Sequence, residues 1–576
     1  MSKRAREYLV SLEEVVSVPQ ARIPWQALWD GYSDDHAGQT VLSHAVPVES
    51  QPSKSIAIVG AGSGGLAILK TILDLPAEVR EGWEVVVYDQ RLDVGGLWLA
   101  DPPGPPPQPP VLPESPVYPL LHTNTPHPTM TYPNFTYPPY TPLFPSHEYV
   151  QKYHADYAAH YGLLPHIHLR HSVTAAKWIG DAESGKWDIE VHELNPKHPR
   201  AEPVRVLKRS FDHLVVANGH NHYPHVPQWN GTEGWLAHTP AGRPQRELQH
   251  SIYYRRPEKY RGRTVIIVGA GASGRDAALQ VGKVAHVVRS IRLVASGAHL
   301  TFSQVYQSLT PGTEPTPGAI VVPKPRISHF TDTSVVFEDG TALADVDAVI
   351  LGTGYEFRIP FLSAPHSSVL AVDPATALNS TTAPTLVSNL RYVFPLYRHI
   401  FSLARGLPPT ALAFVGLPVL VANCPSDIAQ SLLVAHALAN ASVLPSRDEM
   451  RADLVARERA LRAEGLDPYY VGHRLVSPSE TDHDYQDDLV EYLKRVGALP
   501  RDGRKFVEAW RRHGRGEARL LGRGWERAVA LGLERVWLEG VETEEEWAKL
   551  LYRLADWQRA YEEEHGTPVE QFISYE

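Results

Sequence analysis

The sequence predicts an α/β chain with two Rossmann-like dinucleotide-binding units, the second inserted in the first, and a helical C-terminal extension. Two observations predict it. An apolar strand running into Gly-x-Gly-x-x-Gly and then a helix occurs at Gly60–Gly65 and again at Gly269–Gly274. Beyond Pro425, strand-like runs give way to helical periodicity.

The 576 residues allow about three or four domains. With 43% hydrophobic and 21% charged residues, the composition is that of a soluble globular protein. A net charge of −10 gives no electrostatic reason to seek nucleic acid or anionic membrane, so neither is expected as a partner. The lone cysteine, Cys424, excludes an intrachain disulfide framework and a Cys-rich zinc site, and it fits a reducing compartment. Met1–Val10 carries charges with no apolar run behind it, so no secretory signal is read. The longest apolar stretch, 410–424, is too short to span a bilayer and reads as a buried strand and turn. A cytoplasmic protein is expected. The sequence is silent on oligomeric state and leaves a homo-oligomer open.

In chain order, residues 1–53 form an N-terminal arm of short apolar pieces. Residues 54–218 read as the first part of one dinucleotide domain. Its opening strand, Ser55–Val59, leads into Gly60, and a helix from about Gly64 to Leu73 carries Leu66, Ile68, Leu69 and Ile72 on one side. Glu84–Tyr88 is the following strand. Asp101–Pro119 is too rich in proline for helix or central strand. It reads as a surface insertion, with an SH3-type ligand as the rival. Ser146 should cap a helix running to about Tyr161, whose Tyr149, Tyr153 and Tyr157 stripe reads as core.

Residues 219–349 read as the inserted unit, with strand 264–268, helix 272–281, strand 285–288 and a hairpin near Asp339-Gly340. Strand 346–351 closes it and runs into Gly352-Thr353-Gly354-Tyr355. Residues 350–465 return to the first domain. The extension, 466–576, continues helices predicted over 427–441, 448–463, 486–496, 503–512 and 544–564.

Each glycine turn has a stated chemistry. In the first, made of Gly60, Ala61, Gly62, Ser63, Gly64 and Gly65, the first glycine allows the tight turn. The middle one lets a pyrophosphate approach the backbone, and the last lets the helix pack on the strand. The anion then lies on the helix N-terminus. Asp89 ends the next strand, where an acid accepts from ribose hydroxyls. In the second turn, Gly269, Gly271, Ala272, Ser273 and Gly274 repeat the pattern. The following strand carries Arg289 and Arg292 rather than an acid. Guanidinium holds a 2′-phosphate where carboxylate repels it. The alternative reading of both arginines is solvated strand-end charge. FAD at the first turn with NADPH at the second is the economical pairing. Disulfide reductases of this build need a cysteine pair, so reduced flavin must deliver its electrons elsewhere.

Further segments carry a resemblance. Gly60–Gly65, Asp89 and Gly95-Gly96-Leu97-Trp98 together resemble the FAD segment of the flavin-containing monooxygenases, with a flavour closest to fungal members. Leu121-His122-Thr123-Asn124-Thr125-Pro126, with Met130 and Tyr132–Phe135, is similar to that family's active-site segment. His250-Ser251-Ile252-Tyr253-Tyr254 resembles the end of its identifying motif. Leu351–Tyr355 and Leu412–Pro418 are similar to later segments, so the resemblance spans about residues 54–465 in order. There are departures. Trp229-Asn230-Gly231 is split from His250 by an insertion, and Asp89 stands where Glu is usual. The proline stretch and the residues past about 465 also lie outside the family pattern.

The resemblance implies an NADPH- and O2-dependent monooxygenase of the N,N-dimethylaniline monooxygenase type. Oxygen adds to the flavin C4a, and the nitrogen or sulfur of a small-molecule substrate takes the distal oxygen. It also implies cofactor contacts at Gly96, Leu97, Trp98, Thr123, Asn124, Thr125, Thr353 and Gly354. Asn124 is the catalytic candidate, because an amide can donate and accept at once and does not ionise. Outside this segment it would be an ordinary loop Asn before a turn.

Three rivals stay open. A Baeyer–Villiger monooxygenase is disfavoured because the motif ends His250-x-x-x-Tyr254, with Tyr in place of Trp. The others are an NADPH oxidase and a nucleotide-binding scaffold without turnover. The clusters His166/His168/His171 and His220/His222/His225 read as polar surface, and no metal is expected. Trp98, Tyr132, Phe135 and Tyr137 read as pocket or core, and Cys424 as a small buried hydrophobe.

Overall fold

The structure, a computed structural model, describes residues 52–104, 107–181, 184–195, 202–290, 321–372, 385–477 and 480–566. Nearly all of the predicted N-terminal arm, and Arg292, lie outside the described residues. Strand β1 (Lys54–Val59) runs into the first glycine turn, helix α1 (Ser63–Leu73) and strand β2 (Trp83–Asp89). Helix α2 (His147–His160), β3 (Ile167–Leu169) and β4 (His213–Val216) follow, with an antiparallel three-stranded sheet over 171–211 between β3 and β4. Next come β5 (Glu247–His250), β6 (Thr264–Val268), α3 (Ala272–Val281), β7 (His286–Ser290), β8 (Val321–Lys324) and β9 (Ala348–Leu351). Strands β10 (Leu396–Tyr397), β11 (Phe401–Ser402) and β12 (Leu412–Phe414) lead into α4 (Asn423–Ala439) and α5 (Arg447–Ala463). Helices α6 (Asp482–Arg495), α7 (Ala509–Gly516), α8 (Ala518–Ala530), α9 (Glu534–Leu538) and α10 (Glu544–His565) finish the chain.

The first sheet has the order β10-β11-β12-β4-β1-β2-β3 and is parallel from β12 to β3. Strand β1 is central, which explains its unbroken apolar run: a strand covered on both faces has no polar side. Alternate residues take opposite faces. Ile56 and Ile58 pack with Leu66 and Leu69 of α1 and Leu433 of α4, while Ala57 joins Val86, Trp187 and Phe414. The chain leaves this sheet after β4 and returns at β12. Between them it builds the second sheet, β8-β7-β6-β9-β5, parallel throughout. One face of that sheet packs on α3, and the other on Trp235, Phe330 and Phe337.

The proline-rich segment is an ordered strap over its described residues. Arg91 of the first unit donates to Glu114 O at 3.0 Å and to Leu99 O at 2.7 Å. From the second unit, Arg255 donates to Asp101 Oδ2 at 2.8 Å and to Ser115 O at 3.3 Å. Tyr118 donates to Asp276 on α3. The strap therefore ties the two units together.

Several local predictions shift. Ser146 is the N-cap residue of α2, but its hydroxyl turns to Glu148 and caps no N–H. Helix α4 starts at Asn423, earlier than predicted, because Pro425 fits a first turn, where no N–H is needed. Helix α6 starts at Asp482, capped by Thr481, whose hydroxyl accepts from Asp484 N–H. The helix predicted over 503–512 forms over Ala509–Gly516, and α8 and α9 were not predicted at all. Helix α10 opens with a capping box of Thr543 and Glu546. Among the described residues, no helix is long and apolar enough to cross a membrane.

Candidate functional site

A methyl group placed on each turn glycine separates fold needs from ligand needs. Gly60 has φ +106°, and a Cβ there would lie 2.4 Å from Ala217 O. At Gly65 it would lie 1.8 Å from Gly60 O, and at Gly274 2.5 Å from Gly269 O. These contacts are within the protein, so the strand–helix packing itself demands glycine. The middle positions differ. At Gly62 the nearest described atom would be Gly96 Cα at 3.4 Å, an ordinary contact, and at Gly271 none lies within 4 Å. Nothing described in the chain requires glycine there. The open space is what a pyrophosphate against the backbone would fill, so both turns fit a dinucleotide.

Asp89 is buried at the end of β2. Its Oδ2 accepts Ala61 N–H at 2.6 Å and its Oδ1 accepts Arg91 N–H at 2.7 Å. Burial raises its pKa, and these two bonds oppose that shift. The carboxylate thus braces the glycine turn and keeps a second lone pair on each oxygen for hydroxyl donors. Gly96, Leu97 and Trp98 form a half-buried 3₁₀ turn against the same loop. A Cβ on Gly96 would fall 2.9 Å from Gly62 Cα.

Asn124 stands exposed between buried Thr123 and Thr125. Its backbone is anchored on both sides. Thr123 N–H donates to Pro145 O at 3.0 Å, and His127 N–H to Leu143 O at 2.9 Å. The Thr123 hydroxyl donates to Thr125 O at 2.9 Å. Further on, Tyr132 OH donates to Ser63 O in the first glycine turn at 2.8 Å. Tyr132 and Tyr137 are buried in a stack with Tyr153 and Tyr157, so they are core, while Trp98 and Phe135 are half-buried.

At the second turn, Ala272 and Ser273 are exposed at the start of α3. Arg289 is buried, and its Nε donates to Gly269 O at 3.3 Å. Burial, and then Arg275, lower its pKa to about 10. It therefore sits beneath the turn rather than at an open strand end. Arg275, one residue past the last turn glycine, is the half-buried cation beside it. The sequence reading missed Arg275, although its position in the motif was a usable signal.

Thr353 and Gly354 follow β9. Thr353 Oγ1 donates to His225 O at 2.5 Å, and Gly354 O accepts His225 N–H at 2.9 Å. His250 ends β5. Its Nδ1 accepts Ile252 N–H at 3.1 Å, so its Nε2–H donates to Gly354 O at 3.0 Å. Thr353, Gly354 and His250 thus fasten the crossings between the two units. The Trp229-Asn230-Gly231 piece lies apart from them, with Trp229 Nε1 donating to Ile327 O at 3.1 Å.

With that geometry, the family described as flavin-binding monooxygenase-like matches residues 53–308 and 316–500, most of the chain. The chain belongs to this family. It is a flavin-dependent monooxygenase and an oxidoreductase, and the family implies use of flavin and a nicotinamide nucleotide. Among its relatives, flavin-containing monooxygenase FMO GS-OX-like 4 of Arabidopsis thaliana is 29% identical over 442 residues, covering 74% of this chain and 85% of its own. Senecionine N-oxygenase of Tyria jacobaeae is 27% identical over 369 residues, covering 64% of this chain and 68% of its own. Of solved structures, S-allyl-L-cysteine S-oxygenase from Allium sativum superposes with a TM-score of 0.60 at 24% identity, covering 81% of this chain and 92% of that one.

The monooxygenase also holds a buried acid, Asp427, that the sequence reading did not weigh, beside the cysteine and histidines that it did. Asp427 on α4 is 2% exposed, and burial pushes its pKa up to about 7 against an opposing hydrogen bond from Ser63. Cys424 is buried, with its thiol pKa pushed up and Sγ 3.9 Å from His154 Nε2. His166 contacts Val85 O at 3.2 Å, and His168 lies against Tyr88. His225 pairs with Glu356 at 3.4 Å. Among the described residues, no group of three or more His, Cys, Asp or Glu side chains is placed to hold a metal ion.

Proposed function

We propose that this monooxygenase oxygenates a soft nucleophile, the nitrogen or sulfur of a small molecule, with FAD on the first glycine turn and NADPH on the second. Residues 54–218 and 350–465 would form the FAD domain and 219–349 the NADPH domain. One observation carries the reading. The stretch holding Asn124 is fastened at Tyr118 to α3 of the second turn, and at Tyr132 to Ser63 of the first. A single anchored segment thus links both nucleotide sites and presents an exposed amide.

Gly60–Gly65 would hold the FAD pyrophosphate, Asp89 a ribose hydroxyl, and Gly96–Trp98 with Thr123–Thr125 the flavin end. Gly269, Gly271, Ala272, Ser273 and Gly274 would hold the NADPH pyrophosphate, with Thr353 and Gly354 bordering it. Arg275 and Arg292 would receive the 2′-phosphate, and Arg289 would add positive charge from beneath the turn. When bound, FAD supplies hydride acceptance and oxygen activation. The chain's own work is positioning. Asn124 donates and accepts at fixed points without ionising, so it orients the reacting groups and draws off no proton. The name of one relative, an N-oxygenase, supports nitrogen as an acceptor. The lone cysteine supports a reducing, cytoplasmic setting.

The test is a panel of amines, thiols, thioethers and ketones, with NADPH consumption followed and products identified by mass. Amines or sulfur compounds should gain one oxygen atom. Esters formed from ketones, with amines and sulfur compounds untouched, would overturn the substrate class. Asn124→Ala should lower oxygenated product per NADPH by about 10²-fold. Unchanged coupling would remove Asn124 from the site.

A further inference from the structure

The family match ends at residue 500, yet helices α7 to α10 lie beyond it and grip the segment that carries Asn124. Arg511 on α7 is 3% exposed. Its Nη1 donates to Pro128 O at 2.8 Å and to Thr131 Oγ1 at 2.9 Å. Its Nη2 donates to Glu544 Oε1 of α10 at 2.8 Å, and its Nε pairs with Glu508 Oε2 at 3.0 Å. Around it the fit is close. A Cβ on Gly514 would lie 2.8 Å from Thr129 Cγ2, so the α7 backbone rests on that side chain. The His127 ring is fully buried, 4.4 Å from the Trp547 ring and 4.5 Å from that of Tyr137. Leu143, whose carbonyl takes the His127 N–H, belongs to the core of α8 to α10.

We propose that Arg511 is a positioning residue for the monooxygenase reaction, and that the C-terminal helices complete the active site by fixing the 123–131 segment. The inference rests on the reading of Asn124 given above. A planar guanidinium satisfies backbone, hydroxyl and carboxylate partners in one rigid fork, which an ammonium cannot reproduce. The two carboxylates neutralise it in a buried place, where an unpaired charge would not be tolerated. Asn124 is itself exposed, so the placement of its amide follows the path of its backbone, and Arg511 holds that path downstream at Pro128 and Thr131. A misplacement of about 1 Å at such a group is worth about 10²-fold in rate.

The test uses the full-length, flavin-loaded enzyme and compares Arg511→Lys, Thr131→Val and Asn124→Ala, alone and in pairs. Peroxide and oxygenated product per NADPH are measured, together with amide hydrogen exchange over residues 123–131. Arg511→Lys should lower product per NADPH severalfold and raise peroxide, with KM for NADPH within about twofold. Thr131→Val, which removes one acceptor, should do the same to a smaller degree. In an Asn124→Ala background, Arg511→Lys should add little further loss, because the two act through one group. Exchange over residues 126–131 should quicken in Arg511→Lys. Unchanged coupling in folded, flavin-loaded Arg511→Lys would overturn the proposal, and so would full additivity with Asn124→Ala. If the wild-type enzyme makes no oxygenated product, the substrate reading fails, and the exchange data alone decide the clamp. If Arg511→Lys does not fold, Thr131→Val decides it.

Discussion

The Oδ2 of Asp89 accepts the Ala61 N–H at 2.6 Å, so the acid at the end of β2 is wired to the glycine turn at the end of β1. Two parallel strands are thereby locked at the point where a nucleotide would lie. An amide in place of this carboxylate must turn its NH₂ toward one of the two backbone donors. Asp89→Asn should therefore cost about 2–3 kcal/mol of stability and most of the bound flavin. Thermal melting and the ratio of flavin to protein absorbance check both effects. Full flavin content in Asp89→Asn would show that the braces are dispensable.

The turn glycines should separate by role. Gly274→Ala drives a methyl group to 2.5 Å from Gly269 O, so the second unit should lose stability measurably. Gly271→Ala meets no described atom within 4 Å, and its φ of −68° suits alanine. Its melting temperature should stay within about 1 °C, while KM for NADPH rises about 10-fold or more. Equal effects of the two substitutions on stability would contradict this division.

Arg275 should discriminate between nucleotides. With Arg289 buried under the turn, the half-buried Arg275 is the better placed of the two for a 2′-phosphate. Arg275→Ala should raise KM for NADPH about 10-fold and leave KM for NADH nearly unchanged. The NADPH effect should shrink in high salt. Parallel loss with both nucleotides would place Arg275 outside the phosphate site.

Acid should destabilise this fold through its buried histidines. Burial lowers the pKa of His127 to about 3, and those of His154 and His250 to about 4. All three are neutral when folded and take up protons when unfolded below the ordinary value near 6.5. Stability is therefore full above pH 6.5 and is lost as pH falls toward 4. Each contributes up to about 1.4 kcal/mol per pH unit in that window. Urea melts between pH 7 and 5 should show the fall, and His127→Phe should reduce its slope by about one proton. An unchanged slope in that variant would mean that His127 is protonated in the folded state.

What was legible in the sequence was local. Gly60 and Gly65 are forced by contacts within a few residues and one neighbouring strand, so the turn, α1 and β2 can be read from the motif. Helices α7 and α8 were misread for the opposite reason. Their segment contains Gly514, Gly516, Gly522 and Gly524, which disfavour helix in isolation. In the fold, Gly524 lets α8 approach α10 so closely that a Cβ there would lie 3.1 Å from Gln558 Cβ. Tertiary packing overrides propensity. Arg511 carried no signal at all, because its partners Pro128 and Thr131 lie more than 370 residues upstream in the chain. Arg289 shows a subtler limit. Its place near the end of β7 is legible, but burial beneath the turn depends on side-chain direction, which spacing does not give.

The first sheet places β4 beside β12, with the whole second unit between them in sequence. On a ribosome, β1, β2 and β4 emerge long before the strand and helix that cover them. At roughly 5–20 residues per second, that interval lasts on the order of 10–40 s. Throughout it, the free edge of β4 and the α4-facing side of β1 with Ile56 and Ile58 are open to other chains. Recovery of active enzyme during expression should then depend on how this half-built sheet is sheltered, and abundant chaperone should raise it more than any stabilisation of the finished fold.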